Sequence, residues 1–186
     1  MTFSYPVFLD LHDVPVLLVG GGGVAMRKVA ALVAAGARVT VIAPEVRSEL
    51  AEVAAVVERR PFAEGDCAGF RLVLTATDDA AVNARVHDEA TAAGIWVNSA
   101  DDPANCTFIL PAVARRGPVM AAVSTGGASP ALAGHLRSVI ADSVLTEQVQ
   151  RAAHDLARQR AEIHAAGGST EDVEWGDRLR AALELS

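Results

Sequence analysis

Near the start of the chain, Val16-Leu17-Leu18-Val19 runs without a break into Gly20-Gly21-Gly22-Gly23-Val24-Ala25. An apolar stretch of strand length followed by glycines and then an alanine-rich segment over residues 26–35, which Gly36 ends, predicts strand, turn and helix. Arg38-Val39-Thr40-Val41-Ile42 then arrives at the length expected of a second parallel strand. The spacing fits GxGxxA. Gly20 permits the tight turn, Gly22 lets backbone approach a pyrophosphate, and Ala25 lets the helix lie close to the strand, with phosphates at its positive N-terminus. NAD is therefore the expected cofactor, the alternative being a glycine turn that only links strand to helix.

The alternation continues. Pro44 and Glu45 open a polar turn into residues 46–55, residues 56–60 read as a third strand, and residues 70–77 form a continuous apolar run suited to a strand covered on both faces. Asp78 or Asp79 is placed to cap a helix over 80–93, Gly94 closes it, and residues 95–98 supply the next strand. After Asp101-Asp102-Pro103 the pattern changes. Residues 108–124 read as a hairpin around Gly117-Pro118, and Ser129 caps a helix with Pro130 in its first position and its end near Leu145. A further helical region covers 146–164, and a terminal helix over 170–185 carries Trp175 and Leu179 on one face.

The expected fold is α/β: a Rossmann-type parallel sheet domain over 1–112, a dimerisation hairpin and substrate-loop region over 113–145, and a small helical C-terminal part over 146–186. A hairpin with a few helices has too little core to stand alone, so it must pack on the sheet domain or on another subunit. A homodimer is the economical answer.

A net charge of −7, with Lys28 the only lysine, argues against a nucleic-acid surface. Apolar runs are interrupted before bilayer-spanning length, and the N-terminus shows no basic segment followed by an apolar run and a cleavage site, so no membrane association and a cytoplasmic location are expected. Cys67 and Cys106 belong to no CxxC pair and read as buried free thiols. None of the five histidines has metal-ligand spacing, and no resident metal is expected.

Several separated segments resemble one family: residues 6–11, the glycine turn ending in Arg27-Lys28, Ala76-Thr77-Asp78-Asp79, Asn98-Ser99-Ala100-Asp101-Asp102-Pro103, and Ser124-Thr125-Gly126-Gly127-Ala128-Ser129-Pro130. Together, over roughly residues 5 to 140, they resemble the precorrin-2 dehydrogenase and sirohydrochlorin ferrochelatase family, the N-terminal module of sirohaem synthase. The resemblance implies NAD-dependent oxidation of precorrin-2 to sirohydrochlorin on the way to sirohaem or cobalamin, and in some members insertion of ferrous or cobaltous ion. It also implies an intertwined homodimer. No methyltransferase module follows within the 186 residues, so methylation is expected of a separate protein.

Aromatising the ring needs a hydride acceptor and a base. Asp101 follows a strand at the carboxyl edge of the sheet, where open α/β folds bind ligands, and in the resemblance it matches the catalytic aspartate. Asp102 precedes proline and reads as a turn residue. The resemblance carries cofactor contacts to Gly23 and Val24 by the phosphates, and to Pro44 and Glu45 near the adenosine ribose. The second strand ends Ile42-Ala43 without the usual ribose-binding acid, yet NAD is favoured because no arginine follows until Arg47. Ser124, Thr125 and Gly126 offer hydroxyls and an amide to substrate carboxylates, or else form a cap leading into the next helix. In the family resembled, some members have serine where Thr125 stands, and it can be phosphorylated there. A polycarboxylate tetrapyrrole needs arranged cations, for which Arg137 is a candidate, whereas Arg115 and Arg116 read as a solvated hairpin tip. Two other readings are a non-catalytic NAD-sensing dimeric module and a chelatase-only relative; loss of turnover with retained NAD binding in Asp101→Ala separates the first from the enzyme.

Overall fold

The computed structural model describes residues 3, 5–171 and 173–184. It divides into two compact units, Met1–Leu110 and Pro111–Ser186.

The first unit is built on β1 (Pro15–Val19), α1 (Gly23–Ala34), β2 (Arg38–Ile42), α2 (Ser48–Val53), β3 (Val56–Glu58), β4 (Leu72–Thr75), α3 (Ala80–Ala92) and β5 (Trp96–Ser99). The five strands form one sheet in the order β3-β2-β1-β4-β5, with every pair parallel. Successive side chains of a strand face opposite sides. Val16 and Leu18 therefore join Ala25, Val29 and Leu50 in one core, while Leu17 and Val19 join Val86, Ala90 and Val97 in the other. Covering both faces with helices is what requires the unbroken apolar runs read in the sequence. The order reverses between β1 and β4, which places the switch point at the carboxyl ends of those two strands, directly beside the glycine turn.

Local chemistry sets the element ends. Asp79, not Asp78, caps α3: one carboxylate oxygen accepts the amides of Ala81 (2.8 Å) and Val82 (3.2 Å). The polar turn opened by Pro44 and Glu45 leads into a short helix, Ser48–Val53, which Arg47 enters with an extended ψ of 144°. Cys67 and Cys106 are both free and buried, as the sequence predicts.

The second unit contains the antiparallel hairpin β6 (Ala112–Arg116) and β7 (Val119–Val123), then α4 (Pro130–Ser143), α5 (Glu147–Ala165) and α6 (Trp175–Ala182). Ser129 caps α4 by accepting the Leu132 amide at 3.2 Å, with Pro130 at the first turn. The terminal helix read over 170–185 is shorter, Trp175–Ala182, and its expected end at Leu185 lies outside the described residues. α4 packs across both hairpin strands, and α6 packs against α5. The core is thin: among the described residues, the buried apolar ones of this unit are Ala114, Ala133, Leu145 and Ala152, while Leu132, Leu136 and Val139 on α4 stay 40–48% exposed. No helix among the described residues is long and apolar enough to cross a membrane.

Candidate nucleotide-binding and catalytic site

The glycine turn is held by backbone on two sides. Gly20 has φ +125°, and a β-carbon there would lie 2.4 Å from the Ala76 carbonyl oxygen after β4, so only glycine fits between the two strand ends. A β-carbon on Gly21 would lie 1.9 Å from the Glu45 carbonyl oxygen. The turn and the loop after β2 touch there, and the Arg47 amide donates to the Gly21 carbonyl at 3.1 Å. Gly22 and Gly23 differ: β-carbons on them would meet nothing within 4 Å.

That open side is the N-terminus of α1. The first helical bond runs from the Met26 amide to the Gly22 carbonyl at 3.1 Å, which leaves the amides ahead of it without intrahelical acceptors. Gly22 supplies no side-chain cap, and the first turn carries no acidic residue. Unpaired amides, the positive end of the helix dipole and free space fit a pyrophosphate. Gly20, Gly22, Gly23 and Val24 are thus brought together, Val24 being half-buried in the first helical turn. Pro44 and Glu45 are exposed in the adjoining loop, with the Glu45 carbonyl against Gly21. Arg47 is exposed and paired with Glu49 at 3.3 Å.

Asp101 lies just beyond β5, exposed, with φ +56°. A left-handed backbone at a non-glycine residue costs about 1–3 kcal/mol and is kept where the surroundings enforce it. The enforcement is visible. Thr107 ties back to Val97 through its amide (2.8 Å) and through its hydroxyl, which accepts the Val97 amide at 2.8 Å. The Cys106 sulfur accepts the Ser99 amide at 3.1 Å and lies 3.3 Å from the Asp102 carbonyl oxygen. Asp102 accepts from the Asn105 side chain at 2.6 Å, the structural part its place before proline predicts. Asn98, buried at the end of β5, accepts a 2.7 Å bond from the Lys28 ammonium and donates to the Phe108 carbonyl at 3.0 Å. Burial holds Lys28 below its ordinary value of 10.5, with Cys106 and Asp101 acting in the opposite sense. Burial pushes the Cys106 thiol up, against the bond from Ser99 and the charge of Lys28.

The remaining candidates lie in the second unit. Ser124 accepts the Gly126 amide at 3.1 Å, and the Thr125 hydroxyl both accepts the Ser129 amide (2.9 Å) and donates to the Ser129 carbonyl (3.1 Å). These bonds brace the loop as the lead-in to α4. Gly126 has φ +64° and open space around it, and Arg137 is half-buried on α4. Arg115 is exposed on the hairpin, its guanidinium 3.4 Å from the Met120 sulfur.

The need for glycine at Gly21 was not legible in the sequence, since it occupies a variable position of the fingerprint and is fixed by the backbone of Glu45 and Val46. Lys28 and Asn98 stood inside the quoted motifs without a role, and their pairing went unread, although Lys28 is the chain's single lysine.

A five-stranded parallel sheet with a glycine turn and an open helix N-terminus at its switch point defines a dinucleotide-binding protein of the Rossmann class. A family model described as NAD(P)-binding matches residues 7–112, more than half of the chain, and the chain belongs to that family. It is 50% identical over 139 residues to a siroheme synthase of Methylococcus capsulatus, covering 73% of this chain and 29% of that protein. It is 43% identical over 162 residues to the siroheme synthase of Nitrosococcus oceani, covering 85% and 34%. The chain thus spans about a third of the length of these curated relatives. A solved structure, "SirC, precorrin-2 dehydrogenase", superposes with a TM-score of 0.77 at 29% identity, over 97% of this chain and 98% of that one.

Proposed function

We propose that this protein is an NAD-dependent dehydrogenase that oxidises precorrin-2 to sirohydrochlorin in siroheme synthesis. The observation that carries the reading is the likeness, along nearly the full length of both chains, to a solved precorrin-2 dehydrogenase. NAD, when bound, supplies the hydride acceptor. The chain supplies the rest. The amides of Gly22, Gly23 and Val24 take the phosphates, with Gly20 shaping the turn and Pro44 and Glu45 bordering the adenosine ribose. Arg47, neutralised by Glu49, offers little to a 2′-phosphate, which favours NAD over NADP. Asp101, held at the carboxyl edge of β5, accepts the proton that leaves the macrocycle as it is oxidised. Ser124, Thr125, Gly126 and Arg137 meet substrate carboxylates, Thr125 through a hydroxyl that must exchange one of its bonds with Ser129.

The proposal extends to a homodimer and a cytoplasmic location. Leu132, Leu136 and Val139 expose apolar surface from a unit whose own core is thin, and a second copy is the partner that covers it.

The test is an anaerobic assay with enzymatically made precorrin-2, following NADH and the sirohydrochlorin spectrum. Wild-type protein is expected to convert substrate only with NAD. Asp101→Asn, which keeps the side-chain shape and tolerates a left-handed backbone, is expected to bind NAD and not turn over. A folded, NAD-binding protein that leaves precorrin-2 unchanged overturns the reading in favour of a sensor. Ferrous or cobaltous ion added afterwards reports whether Asp101 also serves metal insertion.

A further inference from the structure

We propose that Lys28 is a positioning residue: through Asn98, its ammonium fixes the loop carrying Asp101 to the helix whose N-terminus receives the cofactor phosphates. The inference rests on the dehydrogenase reading above. Lys28 stands one turn after Val24 on α1, so it belongs to the same rigid element as the phosphate-binding turn. Its Nζ donates to Asn98 Oδ1 at 2.7 Å, the one hydrogen bond it makes among the described residues. Asn98 is itself 5% exposed and committed on its other side, donating to the Phe108 carbonyl at 3.0 Å and toward the Cys106 sulfur at 3.6 Å. It therefore grips both the start and the end of the 98–108 loop. Asp101 lies inside that loop, three residues from Asn98, with its backbone in the left-handed region.

The choice of residue carries information. An ammonium in a half-buried position pays a desolvation cost that an apolar side chain of similar length avoids. This chain uses arginine for every other long cation and lysine only here. A compact ammonium reaches a single amide oxygen end-on, whereas the wider planar guanidinium fork is made for paired acceptors. A charge-assisted bond of this length is directional, and it spans the distance from the cofactor helix to the catalytic loop, beside the apolar contact of Phe108 with the core that α1 covers.

A link of this kind affects reaction geometry more than affinity. Displacement of a reacting group by about 1 Å costs on the order of 100-fold in rate. Lys28→Met is thus expected to lower kcat roughly 10- to 100-fold while NAD affinity, measured by titration of the protein alone, stays within about twofold. Lys28→Arg, which retains a donor, recovers part of the loss. Because Lys28 acts through Asn98, the Lys28→Met/Asn98→Leu double variant falls no further than the worse single variant. Amide hydrogen exchange across residues 99–106 in the protein without ligands is expected to quicken in Lys28→Met, with exchange over β1 and β4 unchanged.

Additive losses in the double variant, or a Lys28→Met protein with wild-type kcat and wild-type exchange, overturn the inference. Lys28→Gln replaces Lys28→Met if the latter does not fold. If wild-type protein fails to oxidise precorrin-2, the dehydrogenase reading falls, and the exchange measurement alone then decides whether Lys28 holds the loop.

Discussion

Gly21→Ala separates the structure from the sequence motif most sharply. In the GxGxxA pattern this position is free, and alanine there is harmless by the motif. In the structure the added β-carbon lies 1.9 Å from the Glu45 carbonyl oxygen and 2.9 Å from the Val46 Cα. Both obstacles are backbone, so no rotamer change relieves them. The glycine turn and the loop after β2 must separate by more than 1 Å, which stretches the 3.1 Å bond from the Arg47 amide to the Gly21 carbonyl beyond use. Forced overpacking costs about 1–3 kcal/mol and the lost bond about 1 kcal/mol more, so a destabilisation of about 2–4 kcal/mol is expected. For a chain of this size that lowers Tm by roughly 5–15 °C. Urea and thermal unfolding followed by circular dichroism measure it. Gly22→Ala is the control, because its β-carbon meets nothing within 4 Å: its Tm stays near wild type while NAD binding weakens about tenfold or more, the methyl occupying phosphate space. A Gly21→Ala protein melting within about 2 °C of wild type, or a Gly22→Ala protein melting lower than Gly21→Ala, refutes the packing argument.

Three further outcomes are expected. Ser129→Ala removes the acceptor for the Leu132 amide and costs about 1 kcal/mol in urea unfolding. Asp66 takes paired bonds from Arg60 (2.6 and 2.8 Å) and one from the Ala63 amide, and the Arg60 bonds hold its carboxyl below the ordinary 3.8. A depressed carboxylate stabilises the fold above that value and ceases to as pH falls through its folded-state pKa. Asp66→Asn therefore loses about 1 kcal/mol at neutral pH, and unfolding curves of the two proteins converge below the carboxylate range. Burial pushes the Cys67 thiol up to about 12 and raises Cys106 as well, so a thiol reagent at mildly alkaline pH finds neither cysteine in folded protein and both after denaturation.

Whatever depends on neighbours along the chain was open to reading from residue order. Unbroken apolar runs of strand length, alternating with alanine-rich segments between glycines, placed the strands and helices, because burial of the sheet on both faces dictates those runs locally. Gly20, Ser129 and Pro130 were legible for the same reason, as turn and cap chemistry acts over three or four residues, and the α3 cap was narrowed to Asp78 or Asp79. Position after β5 singled out Asp101, and the order of the motifs pointed to the family. Tertiary structure alone decided the rest. That Gly21 must be glycine follows from Glu45, twenty-four residues away, and that Lys28 belongs with Asn98 follows from a contact across seventy. No local pattern encodes either pair, since the sheet order β3-β2-β1-β4-β5 is what brings the end of β5 within reach of α1. The hydroxyl of Thr125 lies between the two: its residue type offered a ligand contact or a local lead-in to the next helix, and the structure bonds it to Ser129, four residues on. Residue types set which interactions are available to a chain, and only the packed fold sets which of them are made.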